Sequence, residues 1–123
     1  MKLFDSELKI MDVLWKEGDT AARRIAKILK AQVGWSKTTT YTLIKRCIDK
    51  GAIERYDSDF ICHPLVTIEQ AREVETTELI NKMYGGAADQ LVASILGQKN
   101  LTTAEIERLK QILSNLERGD ANV

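Results

Sequence analysis

Apolar residues recur three and four positions apart along most of the chain, and in one stretch the period changes to alternation. Between Asp5 and Glu17, Leu8, Met11, Leu14 and Trp15 share one face, which predicts a first helix ended by Gly18. A second helix from about Thr20 to Gln32 turns Ala22, Ile25, Ile28 and Leu29 inward and sets Arg23, Lys27 and Lys30 on the opposite side. Gly34 breaks the chain, and Ser36 is placed to cap a third helix running to about Lys50, its hydroxyl accepting from a free backbone N–H. Thr40, Leu43, Ile44, Cys47 and Ile48 form the apolar face of that helix. After Gly51 the stretch AIERYDSDFICHPL alternates through Ile53 and the Arg55 stem, turns at Asp57-Ser58-Asp59 and returns through Phe60, Cys62 and Pro64. This is a two-stranded hairpin. Pro64 lacks an N–H, so the second strand ends there or lies at an edge. Three helices, the last two forming a helix-turn-helix, followed by a hairpin, describe a winged helix-turn-helix domain over residues 1–66.

Residues 67–123 read as helical. Thr67 with Gln70 is a capping-box pattern for a helix to about Tyr84, expected to bury Thr76, Leu79, Ile80 and Met83 and to stop at Gly85-Gly86. A shorter helix around Ala88 to Leu96 clusters Leu91, Val92, Ile95 and Leu96, with nothing in its own half to bury them against. Thr102 and Glu105 form a second box, flanked by Leu101 and Ile106 as a hydrophobic staple, and open a helix to about Glu117. In it Ile106, Leu109, Leu113 and Leu116 step by three, four and three, an a/d seam too short for a stable coiled coil on its own. Three short amphipathic helices make a thin core, so packing about a two-fold axis with a second copy is favoured over packing within one chain. Residues 67–123 are thus a helical dimerisation domain, with Leu79, Ile80, Met83, Tyr84, Leu91, Val92 and Ile95 joining the seam in the interface. The fold class is mainly α with a small β-hairpin.

Composition narrows the classes further. The 123 residues, 44% hydrophobic and 29% charged, suit a soluble protein of two small units. No apolar run approaches the roughly 20 residues that cross a bilayer, and MKLFDSELK is unlike a secretory signal, so a cytoplasmic protein without membrane insertion is expected. Cys47 and Cys62 read as reduced thiols. Cys62-His63 are strand neighbours that point to opposite faces, so no metal site is expected. There is one histidine, no nucleophile in a recognisable setting and no glycine-rich phosphate loop. No enzyme and no cofactor are expected. Trp15 reads as core, and Trp35 as a brace for the turn before the third helix.

A formal net charge of zero hides an asymmetry. Residues 23–55 hold nine Lys/Arg against two Asp/Glu, a surplus of seven, whereas residues 67–123 hold six against nine. Within the basic segment, GWSKTTTYTLIKRCIDKG gives the third helix an outer face of Thr38, Tyr41, Thr42 and Lys45, with Lys37 and Thr39 in the first turn and Arg46 on the flank. Three threonines in succession weaken a helix slightly. They supply short donor/acceptor groups that approach base edges and phosphates closely, with longer cations beside them. The candidate DNA-binding set is these residues, Ser36, and the stripe Arg23, Arg24, Lys27 and Lys30. A winged helix used only for protein contacts is the alternative, and such a module has no need of the basic surplus.

SELKIMDVLW in the first helix, WSKTTTYTLIKRCIDKGAIER through the third helix into the wing, and NKMYGGAADQLV afterwards resemble the penicillinase repressor family. This is the BlaI/MecI/CopY group of bacterial transcriptional repressors, and the likeness covers about the whole chain. The resemblance implies a homodimer that sits on dyad-symmetric operators and blocks transcription of a resistance or stress-response operon. By position, the operator-reading segment falls on Ser36 to Arg46: Thr39, Tyr41 and Thr42 facing bases, and Ser36, Lys37, Thr38, Lys45 and Arg46 mainly holding phosphates. Tyr41 departs from the longer polar or basic residues of relatives. The wing tip departs too, since the DNA backbone would repel Asp57 and Asp59; Tyr56 is left as the wing's candidate. In antibiotic-responsive members a membrane sensor triggers proteolysis at an Asn-Phe bond, where this chain has Ser94-Ile95. In copper-responsive members paired Cys-x-Cys motifs bind metal, and the tail SNLERGDANV has no cysteine, which excludes sensing of that kind. The inducing signal stays open.

Overall fold

The computed structural model describes residues 1–98 and 100–119; the end of the expected C-terminal domain, from residue 120, lies outside them. Helix α1 (Asp5–Glu17) is followed by a short strand β1 (Thr20–Ala21), α2 (Ala22–Val33) and α3 (Lys37–Asp49). Strands β2 (Ile53–Tyr56) and β3 (Ile61–Pro64) precede α4 (Ile68–Met83), α5 (Ala88–Gly97) and α6 (Thr103–Glu117).

The expected hairpin is present, but it is part of a three-stranded antiparallel sheet of order β1-β3-β2. Thr20 and Ala21, expected to open the second helix, instead pair with Cys62 and Ile61, and the Ala22 N–H donates to the Phe60 carbonyl at 3.0 Å. A two-residue strand carries no readable period, and its partner lies some forty residues on. Pro64 closes β3 opposite Ile53, so the missing N–H falls at the strand's end even though β3 is central.

The core lies among α1, α2, α3 and the sheet, where Ile10, Met11, Leu14, Ile25, Leu29, Ile44 and Ile53 are buried. Burying one such side chain stabilises by about 1.5–3 kcal/mol. Trp15 and Trp35 pack at its edge, and the Trp15 indole donates to the Val66 carbonyl at 3.0 Å. Gly34 takes φ 73 and ends α2, its N–H donating to Lys30; only glycine adopts that left-handed turn without strain.

The chain divides into two compact units between Glu78 and Leu79, inside α4, and not at the expected boundary of residues 66 and 67. The first turns of α4 belong with the core: Ala71 packs on it, and Lys2 Nζ pairs with Glu75 at 2.8 Å and Glu78 at 3.1 Å.

Local helix signals in the second half hold. Thr67 and Gln70 exchange both capping bonds, as do Thr102 and Glu105. In α4, burial within one copy differs from expectation. Thr76 and Leu79 are exposed, Met83 is 65% exposed, and Ile80 is only half-buried. In α5 and α6, Val92, Ile95, Leu96, Ile106, Leu113 and Leu116 are exposed, while Tyr84, Leu91 and Leu109 are half-buried. A single copy of the second unit does not contain enough neighbouring surface to cover them.

Candidate nucleic-acid interface

Helix α3 is set up by its first turn. Ser36 Oγ accepts the Thr39 backbone N–H at 3.1 Å and donates to Thr39 Oγ1 at 3.0 Å, so the two hydroxyls order each other at the positive end of the helix. Thr40, Leu43, Ile44 and Cys47 point into the core. The opposite side then presents Thr38, Thr42 and Lys45 to solvent at steps of four and three, with Lys37, Thr39 and Arg46 also exposed. Tyr41 is less free than its place on the helix suggested. It is half-buried, edge-on to Phe60 with ring centroids 5.8 Å apart and planes at 87°, because the hairpin turn carries Phe60 against that side of α3. Lys37 Nζ lies 5.5 Å from the Tyr41 ring centre. On α2, Arg23, Arg24, Lys27 and Lys30 are all exposed, and Arg24 lies 3.6 Å from Glu17.

The far end of α3 is held by a contact that sequence reading missed. Lys50 Nζ, just past the last turn, donates to Glu7 Oε1 at 2.6 Å and to the Lys2 carbonyl at 2.9 Å, and sits 4.3 Å over the Phe4 ring. Glu7 is 1% exposed, and its Oε1 also accepts the Phe4 N–H at 2.8 Å. Burial pushes the Glu7 carboxyl up, but the Lys50 and Phe4 hydrogen bonds and the charges of Lys50 and Arg46 outweigh it and hold the group below its ordinary value. Lys50 was counted in the basic surplus of residues 23–55. With Glu7 at its side, it is not available to an external anion. Periodicity could not reveal this, because a glutamate beside a buried face reads as exposed until the distant lysine is placed.

The wing is tied down by Asp19. Tyr56 Oη donates to Asp19 Oδ2 at 2.6 Å, and His63 Nδ1 lies 2.6 Å from Asp19 Oδ1. The Tyr56 bond, then the His63 contact, hold the Asp19 carboxyl below its usual range. Tyr56, the wing's candidate for DNA, therefore has its hydroxyl engaged within the protein. Burial pushes the Cys47 thiol up to about 12 and the Cys62 thiol to about 11, so both are poor nucleophiles at neutral pH. Among the described residues, no three His, Cys, Asp or Glu side chains gather to hold a metal, and no helix is long and apolar enough to cross a membrane.

A model of the penicillinase repressor family matches residues 3–115. The chain belongs to that family. It is 30% identical over 114 residues to the penicillinase repressor of Bacillus licheniformis, covering 91% of this chain and 89% of the relative. It is also 30% identical over 115 residues to the methicillin resistance regulatory protein MecI of Staphylococcus aureus (strain N315), covering 92% and 94%. The solution structure of the DNA binding domain of the repressor BlaI superposes with a TM-score of 0.52 at 29% identity, covering 57% of this chain and 93% of that one. The penicillinase repressor family is one of transcriptional repressors and not of enzymes, and the winged-helix architecture agrees with it.

Proposed function

We propose that this member of the family represses transcription in the cytoplasm as a homodimer on dyad-symmetric operator DNA, controlling a resistance or stress-response operon. The observation that carries the reading is the solvent-facing side of α3, where Thr38, Thr42 and Lys45 stand in a row inside a fold similar to a DNA binding domain. Two copies would place two α3 helices in successive major grooves, about one helical turn or a multiple apart, so the operator is an inverted repeat. Thr39 and Thr42 face bases, with Tyr41 reaching them only by its free edge. Ser36, Lys37, Thr38, Lys45 and Arg46 hold phosphates, and Arg23, Arg24, Lys27 and Lys30 supply much of the salt-dependent affinity.

The dimer rests on the second unit, whose exposed Leu79, Met83, Val92, Ile95, Ile106, Leu113 and Leu116 suit a matching surface on a second copy. Half-buried Ile80, Tyr84, Leu91 and Leu109 would complete the same interface. Repression follows because a bound dimer excludes polymerase, and release follows when these contacts weaken, since a monomer loses its second half-site. A protease set off by a membrane sensor would have to cut Ser94-Ile95 inside α5, where both residues are exposed.

The test compares two substitutions on DNA taken upstream of the gene and on scrambled duplex. Thr42→Ala is expected to cost on the order of 1 kcal/mol or more on the upstream DNA alone, and Lys27→Ala to weaken both duplexes alike and lower the salt slope by about one. Equal behaviour of the two variants on both duplexes refutes the assigned roles.

A further inference from the structure

Arg55 lies on β2, the outer strand of the sheet, and was not among the residues expected to meet DNA. Its guanidinium sits 3.8 Å from the centre of the Phe60 ring, which in turn meets Tyr41 edge-on. Residues from β2, the hairpin turn and α3 thus form one continuous wall. Phe60 takes φ 54, a left-handed conformation that strains a bulky residue. Strain of that kind persists only where neighbours over-determine it. Here the neighbours are Arg55 above the ring, Tyr41 at its edge and the Ala22 N–H on the Phe60 carbonyl.

The wall borders a cleft of about 490 Å³, lined also by Thr42, Lys45, Ile48 and Asp49. The cleft therefore holds two cations against one carboxylate. Arg55 is exposed, and among the described residues no carboxylate comes within ion-pair distance of it. Phe60 packs against one side of the guanidinium, and the exposed remainder of the group offers N–H donors to a ligand.

We propose that Arg55 is a DNA contact which the wing supplies from its strand and not from its acidic tip: held over Phe60, it binds a backbone phosphate at the rim of the groove that α3 enters, beside Thr42 and Lys45. This rests on the reading of α3 as the DNA-facing helix. A guanidinium binds phosphate through two parallel N–H bonds, and packing on the ring restricts the side chain beforehand, so less freedom is lost on binding. Asp57 and Asp59 keep the tip itself away from the backbone, which leaves the strand as the part of the wing able to approach.

The experiment is a fluorescence-anisotropy titration of the full-length chain across a salt series, on labelled duplex from upstream of its gene and on a scrambled duplex. Arg55→Gln is expected to weaken both duplexes about tenfold and to reduce the slope of log K against log salt by about 0.9, the signature of one lost phosphate. Arg55→Lys should keep the slope while losing part of the affinity, because an ammonium neither forks nor stacks flat. Phe60→Leu should likewise keep the slope and bind more weakly. Tryptophan fluorescence during urea unfolding checks that each variant is folded; the slope counts phosphates and does not follow stability. A wild-type slope in Arg55→Gln overturns the proposal, as does a loss confined to the upstream duplex, which would make Arg55 a base reader. If Thr42→Ala and Lys27→Ala act as described above while Arg55→Gln is silent, only the Arg55 contact fails. A wild-type chain that binds neither duplex takes the DNA reading down with it.

Discussion

In the N-terminal unit Ile10, Met11, Ile25 and Ile44 are closed off from solvent, whereas from Leu79 onward no described residue is buried and Met83, Leu113 and Leu116 each leave more than half their surface exposed. Helix quality does not explain the contrast. The box of Thr102 and Glu105 at the start of α6 is as complete as any cap in the first unit, where the start of α2 at Ala21 has no side-chain cap at all. Caps and periodicity decide that a segment is helical, but burial needs neighbours on several sides. The first unit wraps three helices around a sheet; among its described residues the second has helices and no sheet to lay them on. An exposed apolar surface of that kind suits the interface proposed for it.

The strongest way to break this comparison is Leu113→Glu. A charge placed in a dimer interface is expected to turn the dimer into a monomer in sedimentation velocity and to weaken operator binding about a hundredfold or more through lost avidity. A wild-type chain that sediments as a monomer at micromolar concentration would remove the proposed role of the second unit.

Lys50→Met probes the first unit alone. Removing the cation leaves Glu7 buried without its partner, at a cost of about 3 kcal/mol, read as a lower urea midpoint from Trp15 and Trp35, both of which lie in that unit. Its oligomeric state should not change. The pH dependence has a definite sign. In the wild type the Glu7 carboxyl is held low, so the pair's contribution is full above the ordinary carboxylate range and is lost as pH falls through the lowered folded value. Without Lys50, burial instead favours the protonated form, so the variant is worst at neutral pH and is relieved by acid. The gap between the two midpoints should narrow from neutral pH toward about pH 4; a constant gap contradicts the assignment.

The smallest effect is expected from Thr40→Val. Thr40 Oγ1 is buried with no hydrogen-bond partner, so the near-isosteric valine should stabilise the unit by about 1 kcal/mol, read as a higher urea midpoint. A lower midpoint would mean that the hydroxyl is bonded after all.

Much of the first unit was legible because its signals are local. Ser36 as a cap, the apolar face from Thr40 to Cys47 and the hairpin turn at Asp57 each depend on residues within a few positions of one another. The same holds for the exposed row of Thr38, Thr42 and Lys45. What escaped notice joins distant segments. Thr20 pairs with Cys62, Glu7 with Lys50, and Phe60 meets both Tyr41 and Arg55 only after the wing folds back on α3. The division inside α4 escaped for the same reason, since Lys2 binds Glu75 and Glu78 from the other end of the unit.

From its sequence alone, then, the chain determined where helices begin and end, which faces are apolar and which helix carries the hydroxyls and cations, because those follow from rotation per residue and from backbone groups satisfied nearby. The tertiary structure decided which polar groups remain free to meet an anion: Lys50 is taken by Glu7, the Tyr56 hydroxyl by Asp19, and Arg55 is held over Phe60. A charge's availability depends on what stands within a few ångströms of it, and that is set by segments which the order of the residues leaves far apart.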